Sequence, residues 1–326
     1  MNLRSQIENW QLRWAEHNGI STGAPPGSPT SRVTGYVRAL EDNLFEPLSD
    51  RVKQQFIAGA GGELDAPDGH NGNMYAVHSS SALCVNLFHH WSRLLQTASS
   101  NSDSSIQLLL AACGLPALPV SSIDFEVPNV VNPRFTVAPH LDVQISFADD
   151  RWKCAGIEAK FCEPYGDRKP SGLMPVYLKQ RALWQYWPRL RAFAESLCPN
   201  DLIHSHLHAA QLIKHLLGLR MQNGTNFMLV YMWFDVPSAE ATVDHRREIK
   251  SFSEILKCDG IAFVSRTYQE VFESLRGGTE PCSPHVEYLL KRYLDGAPAG
   301  TVGYSLEGPV MRPTGRAAGF KTRVSM

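Results

Sequence analysis

The segment Ala138–Tyr165, APHLDVQISFADDRWKCAGIEAKFCEPY, constrains the fold of this chain more than any other. Leu141, Val143, Ile145 and Phe147 alternate with Asp142, Gln144 and Ser146, the period of a strand with one buried face. After Asp149-Asp150-Arg151 a second alternation starts, with Ala155, Ile157, Ala159 and Phe161 on one side and Glu158 and Lys160 on the other. A turn centred on Asp150 makes the two runs an antiparallel hairpin in which Asp142 lies directly opposite Glu158. Opposed residues stand roughly 5 Å apart at Cβ, and Lys160 is one pleat further along the same face. Two carboxylates and an ammonium therefore share one patch, backed by an apolar face that can pack on a core.

The rest of the chain reads as alternating helices and strands. Residues 1–35 are expected to form an irregular extension, with Pro25, Pro26 and Pro29 in a Gly/Ser/Thr-rich stretch. Leu40, Leu44, Leu48, Val52 and Phe56 recur at helical spacing and predict one helix over 36–57. The segment 59–73, GAGGELDAPDGHNGN, lacks the GxxxxGK[ST] phosphate-loop pattern and reads as a surface loop, or as one from which Glu63 or Asp65 reaches the charged hairpin face as an extra metal ligand. His78–Ser81 offers N-cap chemistry for a helix over 82–95, and a short helix follows over 106–113. A strand over 123–127 precedes the hairpin. Beyond it come a helix over 176–197 bent at Pro188 and a helix over 201–219. The apolar run FMLVYMWF, 227–234, has the composition of a strand covered on both faces. A helix over 239–256, a strand over 260–264 and helices over 268–275 and 284–294 complete the order. This succession predicts an α/β fold, a mixed central sheet with helices on both faces. One domain over 36–295 is expected, followed by a flexible basic tail over 296–326.

Composition limits the function classes. The formal net charge of -1 and a charged fraction of 19% exclude a histone-like, charge-driven nucleic-acid binder but leave room for a local basic cleft. No apolar run approaches the roughly 18 residues of a membrane span, and the first 20 residues show no signal-peptide core, so a cytoplasmic location without membrane partners is expected. The 7 cysteines are scattered without a CxxC pair, which argues against a disulfide framework or a zinc knuckle; they read as small buried side chains.

Opposed carboxylates repel and need a proton or a cation between them. An oxygen-only site suits a hard divalent ion, Mg²⁺ (or Mn²⁺), with Asp142 and Glu158 as ligands and the carbonyl of Ala159 as a further one. Lys160 can then orient a water or stabilise charge on a phosphoryl group. Such parts suit phosphodiester hydrolysis. A Glu-x-Lys tripeptide is also common on solvated strand faces, where the charges merely pair. His204, His206, His208 and His215 open a second route, a zinc hydrolase, with His204 and His208 at i,i+4 on a helix but without an HExxH carboxylate. Trp184, Tyr186 and Trp187 interleave with Lys179, Arg181 and Arg189, either as a nucleic-acid face or as core aromatics.

The pattern V-A-P-H-L-D142 followed by I-E158-A-K160 on consecutive strands after a helix resembles the PD-(D/E)XK nuclease superfamily. HSSSALCVNLFHHW (78–91) and IEAKFCEPY (157–165) are most similar to a restriction-endonuclease-like subgroup. The resemblance implies a restriction-endonuclease-like core with helical embellishments. It implies a metal-dependent nuclease acting on nucleic acid, DNA before RNA, and it allows a homodimer. Asp142 and Glu158 carry over as metal ligands and Lys160 as the catalytic lysine, with Gln144 in support on the same strand. The QxxxY helix of RecB-type members matches Gln211 but has His215 in place of tyrosine. The acid that the first helix often supplies is absent from 79–91, so that ligand is either missing, leaving one metal rather than two, or supplied by Glu63 or Glu126. The contrasting expectation is a nuclease fold that only binds, its hairpin charges paired.

Overall fold

The computed structural model of the protein describes residues 2–24, 35–59, 61–64, 72–97, 102–135, 138–237, 239–278 and 283–295. The expected basic tail and Asp65 lie outside them. The first 35 residues are not irregular throughout: α1 (Leu3–His17) is capped by Asn2 and buries Leu3, Ile7 and Trp10 in the main core. Two short strands, β1 (Thr22–Gly23) and β2 (Tyr36–Val37), then pair with each other.

The single helix expected over 36–57 is broken. A 3-10 turn at Leu40–Asn43 gives way to extended backbone at Leu44, and only α2 (Asp50–Ala58) is regular helix. Pro47 disfavours helical geometry at Glu46, and the Asn43 amide donates to the carbonyls of Met74 and Ala76, fixing the turn. The apolar stripe still does its burying, since Leu40, Leu44, Leu48, Val52 and Phe56 are all in the core. α3 (Ser80–Gln96) starts at Ser79, whose hydroxyl accepts from the Ala82 N–H, and α4 (Ser102–Ala112) follows.

The five-stranded sheet has the order β3 (Val120–Pro128), β4 (His140–Phe147), β5 (Cys154–Lys160), β6 (Phe227–Trp233), β7 (Phe263–Thr267). β3, β4 and β5 are antiparallel neighbours, while β5, β6 and β7 are parallel. β4 and β5 are joined by the short segment 148–153, whereas the parallel half needs crossovers, which the intervening helices supply. β6 shows the layering directly. Met228, Val230 and Met232 enter the core under α3 and α10 (Tyr268–Gly277), whereas Phe227, Leu229, Tyr231 and Trp233 enter the core under α8 (Ala209–Asn223) and α9 (Glu240–Cys258). A strand covered on both faces has no polar side to show, which is why the run FMLVYMW is apolar throughout. α11 (Pro284–Tyr293) closes the first of these layers.

The helix expected over 176–197 is three pieces: α5 (Pro175–Leu178), α6 (Arg181–Trp184) and α7 (Pro188–Ser196). Gln180 and Trp187 leave the helical region, the latter forced out by Pro188. Trp184 and Trp187 are core residues, leaving Tyr186 as the exposed aromatic, 65% accessible. The helix expected over 201–219 begins only at Ala209. Upstream, Asp201 accepts from the Ile203 and His204 N–H groups, and Glu248 accepts from those of Ser205, His206 and Leu207. Side-chain oxygens that capture five successive backbone donors outcompete helix formation there. The cysteines among the described residues are unpaired; Cys258 is exposed rather than buried.

Candidate active site

The hairpin forms in the register that a turn at Asp150 demands: Val143 pairs with Ile157, Gln144 with Gly156, Ile145 with Ala155 and Ser146 with Cys154. One residue past the last pair the strands part. Leu141 accordingly leaves the face of Val143 and Ile145 and packs with the α8 layer, against the expected alternation. Asp142 occupies the fork. Its Oδ2 accepts the Ala159 N–H at 2.6 Å, replacing the ladder carbonyl that β4 no longer offers. β5 continues alone beside β6 as far as Lys160.

That fork sets Glu158 and Lys160 next to Asp142. Glu158 is 1% exposed; its Oε1 lies 2.5 Å from Lys160 Nζ and its Oε2 lies 2.8 Å from His215 Nε2 on α8. Both are close contacts without the alignment of hydrogen bonds. Burial alone would push the Glu158 carboxyl up, but Lys160 and then His215 outweigh it and hold the group down at about 2. Burial also opposes the charge on Lys160, yet Glu158 and Asp142 raise its pKa well above the ordinary lysine value. Asp142, desolvated and facing the ionised Glu158, is driven well above the ordinary carboxylate range.

Two more acids complete the patch. Glu63 is held by the hydroxyl of Ser81 at 2.7 Å, on the first turn of α3, so the loop delivers an acid to the helix position that lacks one. Glu126, on β3, has φ +49°, a strained left-handed conformation for a residue with a side chain. Its carboxyl is pushed up to about 7 by burial, then by Glu63 and Glu158. Glu63 is likewise raised, chiefly by burial.

The remaining expected residues fall outside this contact set. Gln144 donates to Ser146 Oγ at 3.3 Å, toward the hairpin turn rather than the carboxylates. Gln211 is half-buried on the first turn of α8, and it is His215, one turn on, that reaches Glu158. The Gln211/His215 spacing was the available signal, but only the packing of α8 says which of the two turns inward. The expected zinc cluster does not form. His204 bonds Asp201 at 2.8 Å, His206 faces the carbonyl of Pro164 at 2.7 Å and His215 faces Glu158. His204 and His208 share no helix, because 201–208 is not helical. Among the described residues no three His, Cys, Asp or Glu side chains form a ready-made metal cage.

The family model described as restriction endonuclease associating with ARP matches residues 8–294. The chain belongs to this family. Its core is restriction-endonuclease-like and of PD-(D/E)XK type, a five-stranded mixed sheet between helical layers. No curated protein and no solved structure matches the chain. No helix among the described residues is long and apolar enough to cross a membrane.

The raised carboxyls predict a pH effect on stability. Burial, with Glu63 and Glu158 nearby, pushes the Glu126 carboxyl from its ordinary 4.5 up to about 7, so the fold favours its neutral form. Stability is thus lost as pH rises from about 4.5 to about 7, and is flat above. In metal-free protein at pH 8, Glu126→Gln should add about 1–3 kcal/mol, with no gain below pH 4.5. Urea melts across that range check it. Equal gains at pH 4 and pH 8 would show that Glu126 is not held neutral.

Proposed function

We propose that the protein is a divalent-metal-dependent nuclease that hydrolyses phosphodiester bonds of DNA. The observation that carries this reading is the fork at Asp142, where one backbone N–H ties the aspartate beside a buried Glu158 that is paired to Lys160. The donor set suits a hard cation: Asp142, Glu63 and Glu126 are all pushed up by burial and by neighbouring negative charge, and Lys160 is the cation among them. Asp142, Glu158 and the Ala159 carbonyl would hold Mg²⁺ or Mn²⁺, with Glu63 or Glu126 completing the oxygen ligands. The ion supplies Lewis-acid stabilisation of the phosphoryl group and lowers the pKa of a bound water.

The chain's own residues do the rest. Lys160, its pKa raised, stays protonated at neutral pH and therefore acts as a donor to phosphate or water, not as a general base. His215 holds Glu158 from behind and so fixes its carboxylate against β5. Asp142 is fixed by Ala159, so both carboxylates are preorganised and little freedom is lost on binding.

The decisive experiment is cleavage of plasmid and linear DNA with and without Mg²⁺ or Mn²⁺, on wild type and Lys160→Met. Wild type should cut only with metal present. The variant should lose about 10²–10³-fold in rate, the scale of removing one preorganised charge donor. Unchanged cleavage by the variant, or no metal dependence in wild type, would refute the assignment. Retained DNA binding without cleavage by wild type would favour a binding module.

A further inference from the structure

Charge is distributed unevenly around the fork. From 168 to 194 the chain carries Arg168, Lys169, Lys179, Arg181, Arg189 and Arg191 and no Asp or Glu, although the whole protein has a formal net charge of -1. All six side chains are exposed. α8, which packs against α6, adds Lys214 and Arg220, again without an acid in Ala209–Asn223. Electrostatics ties this surface to the fork: the field of Arg168 and that of Lys160 both act on His208, and that of Glu158 acts on Lys214.

Aromatic rings underlie the same surface, and Tyr186 emerges from it. Lys214 Nζ lies 5.8 Å from the centre of the Tyr177 ring. One and a half turns further along α8, the Arg220 guanidinium lies 4.4 Å from the centre of Trp187 and 5.2 Å from that of Tyr186. Trp187 is buried, whereas Tyr186 is 65% exposed. Arg220 Nη1 is buried without a hydrogen-bond partner, and no carboxylate of the described residues pairs with the group. Tyr186 thus presents one open face, backed by an uncompensated cation. A solvent-facing ring of this size on a basic surface suits an unpaired base, since every base has a π-face and the backbone supplies the negative charge. A base paired within a duplex has its faces covered by its neighbours.

We propose that the face formed by residues 168–191 and the outer side of α8 carries a single-stranded stretch of DNA leading from the catalytic acids, with Tyr186 as the stacking platform. This rests on the nuclease reading only for where the strand ends; binding to the face does not require cleavage. It gives the enzyme a preference for substrates with unpaired ends, gaps or locally opened strands.

The test is fluorescence anisotropy with a labelled single-stranded oligonucleotide and a blunt duplex of equal length, in EDTA, so that no cutting occurs. Tyr186→Ala should weaken single-strand binding by roughly tenfold, leave duplex binding within twofold and leave the melting temperature unchanged. Arg181→Glu with Arg189→Glu, both exposed, should weaken binding further and reduce the slope of log K against log salt by about 1–2. Unchanged single-strand affinity in Tyr186→Ala, or equal loss for duplex, overturns the proposal. A wild type that binds single strands in this way but never cleaves DNA would defeat the nuclease reading and leave this face standing; metal-dependent cleavage with no effect of Tyr186→Ala would do the reverse.

Discussion

Glu158→Ala is expected to abolish metal-dependent cleavage, by at least 10³-fold, while leaving most of the protein folded. Two effects oppose each other in the stability. Removing one partner of a buried ion pair usually costs about 3–5 kcal/mol, because the other charge is left uncompensated. Here Lys160 keeps Asp142 as a neighbour and its side chain is 14% exposed, so it can reach water. The penalty should therefore stay near 1–2 kcal/mol. Cleavage has no such substitute: under the proposed reading the variant would lack one of the oxygens that hold the metal, and Asp142 would be left without a second carboxylate beside it. Titration calorimetry with Mn²⁺ should show binding weakened at least tenfold, and thermal denaturation should show a folded protein. A variant that unfolds outright would mean that the pair is chiefly structural. A folded variant with undiminished cleavage would remove Glu158 from the chemistry.

The second large effect is predicted for a residue far less conspicuous. Gly218 sits inside α8 where the helix crosses the loop after β3, and a Cβ there would stand 2.4 Å from the backbone oxygen of Asn129. Helix propensity favours alanine over glycine by about 1 kcal/mol. The clash is with backbone, which cannot rotate away, and overpacking of this kind costs about 1–3 kcal/mol or more. Asn129 also donates to the His215 carbonyl at 2.7 Å, so a displaced helix gives up that bond too. Gly218→Ala should thus be net destabilising by about 2 kcal/mol, lowering the melting temperature by roughly 3–4 °C. Gly218→Val should be worse. Because His215 lies three residues earlier on the same helix, cleavage should fall along with stability. A rise in melting temperature for Gly218→Ala would show that propensity wins and that the approach of α8 is looser.

The two predictions show different degrees of legibility. The hairpin register follows from alternation and from where the turn falls, because side chains in a strand repeat every two residues and a slip of one would expose the buried face. Alternation and turn position therefore suffice to bring Asp142, Glu158 and Lys160 to one patch. The departure of Leu141 from its face was not legible, since it depends on β4 leaving β5 at the fork. Nor was the break-up of 176–197 or of 201–208 fully visible: Pro188 signals one interruption, but Glu248 reaches 201–208 from some 40 residues away.

The same division holds for the acids around the fork. Local sequence determined the strands of the five-stranded sheet, the two-faced burial of β6, the capping of α3 and the presence of a Glu-x-Lys pair, all through short-range periodicity and sterics. Only the tertiary structure decided that Glu63 is delivered by Ser81 to the start of α3, that strained Glu126 joins the patch, and that His215 rather than Gln211 meets Glu158. Those choices depend on helix packing across the sheet and on charges distant in sequence, whose energies arise once burial strips them of water.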